Sequence, residues 1–250
     1  MSLLSVGDFL DAKIADPIQF RIRDFLGKGV TQDARLKIYA IDDQTFASLG
    51  TPMPDLEIWA DVLDSITAKK PKVVIIDAMF SAKASAVSPK TKKLFDVVKA
   101  SGVPVVSGSF VSEKEIRFKH PMSLNGPAYK VATYLKEETR SAWSGSHMPR
   151  FHDRSKWLAY GPHVDLRDFF PSVGHFQLFE ENHVEPFLWM GENSVIPHAS
   201  MWAADDIAFT DQALIVNGNR VALDRGGAVP VNFIQKSHAR IYSMESLIRR

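Results

Sequence analysis

Two short apolar runs, each ending in an acid, constrain this chain more than any other feature: Lys37-Ile38-Tyr39-Ala40-Ile41-Asp42-Asp43 and Lys72-Val73-Val74-Ile75-Ile76-Asp77-Ala78-Met79-Phe80. The stretch between them reads as a helix. Pro54-Asp55 opens it, Leu56, Trp59, Leu63 and Ile66 fall at helical spacing, Lys69 and Lys70 suit its C-terminal dipole, and Pro71 stops it. A strand, a helix and a second buried strand form a βαβ unit, whose crossover makes the strands parallel and gathers their carboxyl ends on one rim. Open α/β sheets bind ligands at that rim. Asp42, Asp43 and Asp77, with Phe80 and Ser81 just beyond the second strand, are therefore the candidate ligand-binding residues.

The pattern repeats once. Asp43 is placed to cap a short helical turn over Gln44 to Leu49 that Gly50 closes. Ser88-Pro89 then supplies a cap and a first-turn proline, Leu94, Phe95, Val97 and Val98 a buried face, and Gly102 a stop. Val103-Pro104-Val105-Val106-Ser107 reads as a third strand, which Pro104 places at a sheet edge or at the strand's beginning. Residues 35–110 thus predict a parallel β-α-β-α-β half of a doubly wound sheet. The predicted fold class is α/β, three-layered, with a mixed sheet flanked by helices and an antiparallel, hairpin-containing C-terminal part.

Outside that half the signals are more local. Residues 1–30 carry two short helical candidates divided by Pro17, and residues 112–172 read as a weakly patterned insertion with a short helix near Tyr129 to Lys136. Gly174 to Glu180 and Val184 to Met190 predict two strands joined by Glu181-Asn182-His183, and Ile196 to Phe209 predicts a helix entered through Pro197. Asn217-Gly218 between Leu214-Ile215-Val216 and Asn219 to Leu223 predicts a type I′ hairpin, since both central positions need positive φ. Val229 to Ile234 reads as a further strand, and Ser243 as the start of a terminal helix.

At 250 residues the chain is expected to form one globular domain, and 30 basic against 29 acidic residues create no field that would draw it to nucleic acid. The absence of cysteine excludes disulfides, thiolate nucleophiles and cysteine zinc sites. No apolar run approaches the roughly 18 to 20 residues that span a bilayer. The chain stops at Leu247-Ile248-Arg249-Arg250 without a tail composition, so it is expected to be a piece whose flanks could hold membrane segments.

The string Ile41-Asp42-Asp43, then Leu49-Gly50, a helix, Val74-Ile75-Ile76-Asp77 and Phe80-Ser81 resembles the CHASE sensory domain of the second type. So do Asn219-Arg220-Val221-Ala222-Leu223 with Val229-Pro230-Val231-Asn232-Phe233, and Tyr242-Ser243-Met244-Glu245-Ser246-Leu247 near the end. The likeness runs from about Asp16 to Leu247. In place of the family's Trp-Pro-Trp-Pro-Arg-like segment stands Thr51-Pro52-Met53-Pro54-Asp55. The resemblance implies a bacterial extracytoplasmic input module, not itself a catalyst, joined through membrane helices to a cytoplasmic nucleotide cyclase, histidine kinase or protein kinase. It implies a small-molecule or protein ligand, a homodimeric receptor, a periplasmic location and no cofactor.

Two other classes stay open. Asp42, Asp43 and Asp77 could hold a hard cation for a metal-dependent hydrolase, since oxygen ligands at a strand rim suit Mg²⁺ or Ca²⁺. Against it, Asp43 suits a helix cap, and Asp42 and Asp77 suit bonds to loop amides. The other class is a structural module that dimerises receptors without a ligand. His147, His152, His163, His175 and His183 match no helical zinc pair, Ser107-Gly108-Ser109 reads as a turn without a nucleophile elbow, and no phosphate-cradling glycine motif occurs. No metal site is therefore expected. Trp59 belongs in the core with Leu56 and Leu63, while Trp143 and Trp157 could line a pocket or an interface.

Overall fold

A computed structural model describes residues 32–51, 54–80, 88–117, 119, 121–130, 133–134, 154–178, 183–191, 193–210, 213–224, 227–231 and 240–248. Helices and a mixed set of parallel and antiparallel strands make the chain an α/β protein. The helical candidates in 1–30, Ser81, Trp143, His147 and His152 lie outside the described residues.

Three helices form where the local signals put them. Helix α1 (Asp43–Leu49) ends at Gly50, whose φ of 67° is the left-handed conformation that favours glycine. In α2 (Leu56–Thr67) the Asp55 carboxylate accepts the Ile58 amide, and Leu56, Trp59, Ala60, Val62 and Leu63 form its buried stripe. Burying each of the large members contributes about 1.5–3 kcal/mol. In α3 (Pro89–Ala100) Ser88 caps the Thr91 amide, and Phe95 and Val98 turn inward. Val97, expected on the buried face, is instead exposed, because it stands two residues from Phe95 and one from Val98, about 200° and 100° round the helix from those buried side chains.

Strand β2 (Val74–Ile76) pairs in parallel with β3 (Val105–Ser112), completing a βαβ unit through α3. Pro104 precedes β3, which begins there rather than running at an edge. On its other side β3 takes β5 (Ser172–His175) in parallel and, further along, β4 (Leu158–Tyr160) in antiparallel register. Ser107-Gly108-Ser109, expected as a turn, lies inside this central strand. Gly108 is needed there, for a Cβ would sit 3.0 Å from the Ala78 carbonyl oxygen. The weakly patterned region also contributes to the core: Phe170 stacks on Phe80 at 4.4 Å, and Leu166 is fully buried.

Strand β1 (Ile38–Ala40) does not hydrogen-bond to β2. Its partner is β13 (Ile241–Ser243), in parallel register Ile38 with Ile241, Tyr39 with Tyr242 and Ala40 with Ser243. The 3₁₀ turn Met244–Leu247 follows at once, capped by Ser243, and Met244 packs into the core beneath α2.

The last third departs from its expected helix. β6 (His183–Val184) pairs with β12 (Val229–Pro230), so it does not form a hairpin with β5; β7 (Phe187–Trp189) pairs with β8 (Val195–Pro197). A five-residue 3₁₀ segment, Ala199–Ala203, and then β9 (Ile207–Phe209) occupy the span read as a helix. The amides of Asp205 and Asp206 both donate to Asn217 Oδ1, which ends the turn and delivers β9 to β10 (Ala213–Val216). β10 and β11 (Asn219–Ala222) form the expected hairpin, with φ of 49° at Asn217 and 78° at Gly218.

Candidate functional site

The acid that ends β1 is the N-cap of α1. Asp42, not Asp43, is extended at φ −118°, and its carboxylate accepts the Thr45 amide at 3.0 Å and the Thr45 hydroxyl at 2.9 Å. The one-residue shift follows from the cap's geometry: the residue whose oxygen reaches the amide three positions on must stand outside the helix. Asp43, one step further, is an exposed first-turn acid beside the helix's positive end.

Asp42 also accepts the Ser243 hydroxyl at 2.7 Å. The Glu245 amide meets the Thr45 and Ser243 hydroxyl oxygens, each at 3.2 Å, so one small polar knot caps α1 and the 244–247 turn together. The Ser243 hydroxyl first and the Thr45 amide second hold the Asp42 carboxyl below its ordinary range. An acid with these three donors is committed to structure before any ligand arrives.

The other rim residues scatter. Asp77 is exposed just after β2. Phe80 is a core residue, edge-on to Trp59 at 5.3 Å and stacked on Phe170, with its carbonyl accepting the His163 amide at 2.7 Å. Because β1 pairs with β13 and β2 with β3, the two acid-ended strands are not hydrogen-bonded neighbours. Among the described residues no group of three or more His, Asp or Glu side chains is placed to hold a metal ion.

A second polar cluster escaped the sequence reading. Arg154 and Glu185, both almost fully buried, form a two-pronged ion pair at 2.7 and 2.8 Å, and the Arg154 guanidinium lies 5.6 Å from the Trp157 ring centre. Close by, His175 is fully buried, with His198 edge-on to it at 5.1 Å. Burial above all, then His198 and Arg154, keeps His175 neutral; burial pushes His198 down to about 4. The only signal in the sequence is a lone acid, Glu185, between Val184 and Pro186-Phe187, and it names no partner.

Comparison with protein-family models, curated proteins and solved structures finds no match to this chain.

Proposed function

We propose that this chain is the extracytoplasmic, ligand-sensing input domain of a bacterial transmembrane receptor, regulating an attached cytoplasmic nucleotide cyclase or kinase. The observation that carries the reading is the meeting of Asp42 with Ser243. These residues belong to the first and last segments of the CHASE-like pattern, and their bond gives that pattern a physical reason: the acid after β1 and the serine after β13 tie the two segments together. A sensor needs such a tie, because ligand binding biases an output only through elements that have different free energies in its two arrangements.

On this reading the elements stack in three layers, helices on both sides of a mixed sheet, as one domain over 1–250. The exposed acids Asp43 and Asp77 offer contacts to a small-molecule or protein ligand, and the receptor is a homodimer anchored through flanking membrane segments in the periplasm. No helix among the described residues is long and apolar enough to cross a membrane, so anchoring falls to sequence outside them. The metal-dependent hydrolase and the ligand-free dimerisation module have no comparable observation in their favour.

This chain has no cysteine of its own, so labelling above that of the parent protein reports a single introduced site. Arg220→Cys, on the exposed strand β11, is introduced into the protein in its natural gene and treated with a membrane-impermeant maleimide. Labelling in spheroplasts supports the reading; labelling only after lysis overturns it.

A further inference from the structure

A row of three polar side chains crosses the centre of the sheet. Ser109 on β3 is in register with His175 on β5, and His175 is bridged on its other side to His198. In-register neighbours project from one face at roughly 4.8 Å spacing, in keeping with the 5.1 Å between the two imidazoles. The middle ring is fully buried, and neither of its nitrogens nor the Ser109 hydroxyl has a hydrogen-bond partner.

The groups that face His175 give a positive charge no home. From β3 comes the neutral Ser109 hydroxyl; from the 198–203 turn, a second imidazole; from the segment before β4, the cation Arg154. Glu185, on the β6–β7 link, is held by both guanidinium nitrogens of Arg154, and its carbonyl, outside hydrogen-bonding geometry, offsets little. The Tyr129 hydroxyl at the start of β5 is bonded to the Val173 amide and the Pro171 carbonyl.

The seam between β5 and the turn has no slack. A Cβ on Gly174 would stand 2.5 Å from the Ala199 Cα, so backbone meets backbone there. Across the same seam the Trp202 indole donates to the Val173 carbonyl at 3.2 Å. Local solvation of a charged ring would need space that this contact does not leave, and an uncompensated buried charge is far costlier than a neutral orphan.

We propose that the seam between β5 and residues 198–203 is an acid-opened switch, in which a proton taken up by the His175–His198 pair parts β5 from the turn. The proton comes from solvent and adds to a ring nitrogen, making the imidazole a cation with two donors and no acceptor. No other bond changes except the hydrogen bonds lost across the seam. The device belongs to the fold and holds whether or not the chain is a receptor domain.

Pulsed hydrogen exchange tests it on the intact chain, equilibrated at a series of pH values from neutrality to about 4 and pulsed at one fixed pH. Opening of peptides covering 172–176 and 198–204 is expected to rise about tenfold or more, the ratio that 1.4 kcal/mol represents, while α2 stays protected. In the His175→Phe/His198→Gln double variant the rise is expected to vanish. Should that variant fail to fold, His198→Asn alone, at a half-buried site, is expected to move the midpoint to lower pH. A seam that does not respond, an equal response in the variants, or simultaneous loss of protection in α2 overturns the proposal.

Discussion

The Asp42 carboxylate accepts the hydroxyl of Ser243, 201 positions later in the chain, at 2.7 Å. That bond turns a rim acid into a fastening: the same oxygen caps α1 through Thr45, and the same hydroxyl meets the amide that starts the 244–247 turn. Parallel pairing of β1 with β13 runs alongside it, with Tyr39 and Tyr242 in ring contact at 5.6 Å.

Gly174→Ala is expected to destabilise the fold by about 1–3 kcal/mol or more, as overpacking does when the neighbour cannot move. The obstacle is backbone, since the new Cβ would stand 2.8 Å from the Ala199 nitrogen. Urea denaturation midpoints check this. Gly108→Ala, at 3.0 Å from the Ala78 carbonyl oxygen, is expected to cost less.

Arg154→Met alone leaves the Glu185 carboxylate buried without its guanidinium, and the expected loss is about 3–5 kcal/mol. Replacing both residues, Arg154→Met with Glu185→Leu, removes the stranded charge. The double variant is therefore expected to be more stable than the single one by chemical denaturation, because the desolvation of both ions disappears together.

Stability is expected to fall towards acid through His198 and His175 first and Asp42 below them, the His175 contribution starting at about 6.5 and running on through its lower folded value. His198 has its value lowered from 6.5 to about 4 in the folded chain, so between those values the unfolded chain binds more protons. Stability thus declines as pH falls from about 6.5 to about 4, by an amount of order 3 kcal/mol. Asp42, held below 3.8 by Ser243 and Thr45, contributes stability that is present above 3.8 and is lost as pH falls from there through its folded value. Denaturation curves at stepped pH should show His198→Asn reducing the upper limb, whose remainder belongs to His175, and Asp42→Asn removing the lower.

What the sequence made legible is chemistry settled within about ten residues. Ser88-Pro89, Asp55, Gly50 and Asn217-Gly218 act where they were expected, because a cap or a turn needs only its own neighbours. Partner choice was not legible. Ile38–Ala40 can pair with any parallel strand of matching length, and what selects Ile241–Ser243 is a contact from the far end of the chain. The span from Ile196 to Phe209 carries helix-compatible residues, yet Asn217 claims the Asp205 and Asp206 amides and β10 claims β9. A cap after β1 is legible in the sequence, but the capping residue is Asp42, one step before Asp43. An apolar residue after a strand reads the same in sequence whether it faces a ligand or the core, and Phe80 faces Phe170.

The claim that the acid ending β1 is a structural fastening is tested most directly by a double-mutant cycle on Asp42→Ala and Ser243→Ala, read as denaturation midpoints with and without millimolar Mg²⁺ or Ca²⁺. If the bond is the fastening, the double variant loses clearly less than the sum of the single losses, and the cations change none of the four midpoints. Additive losses, or a cation-dependent stabilisation that disappears with Asp42→Ala, would contradict it.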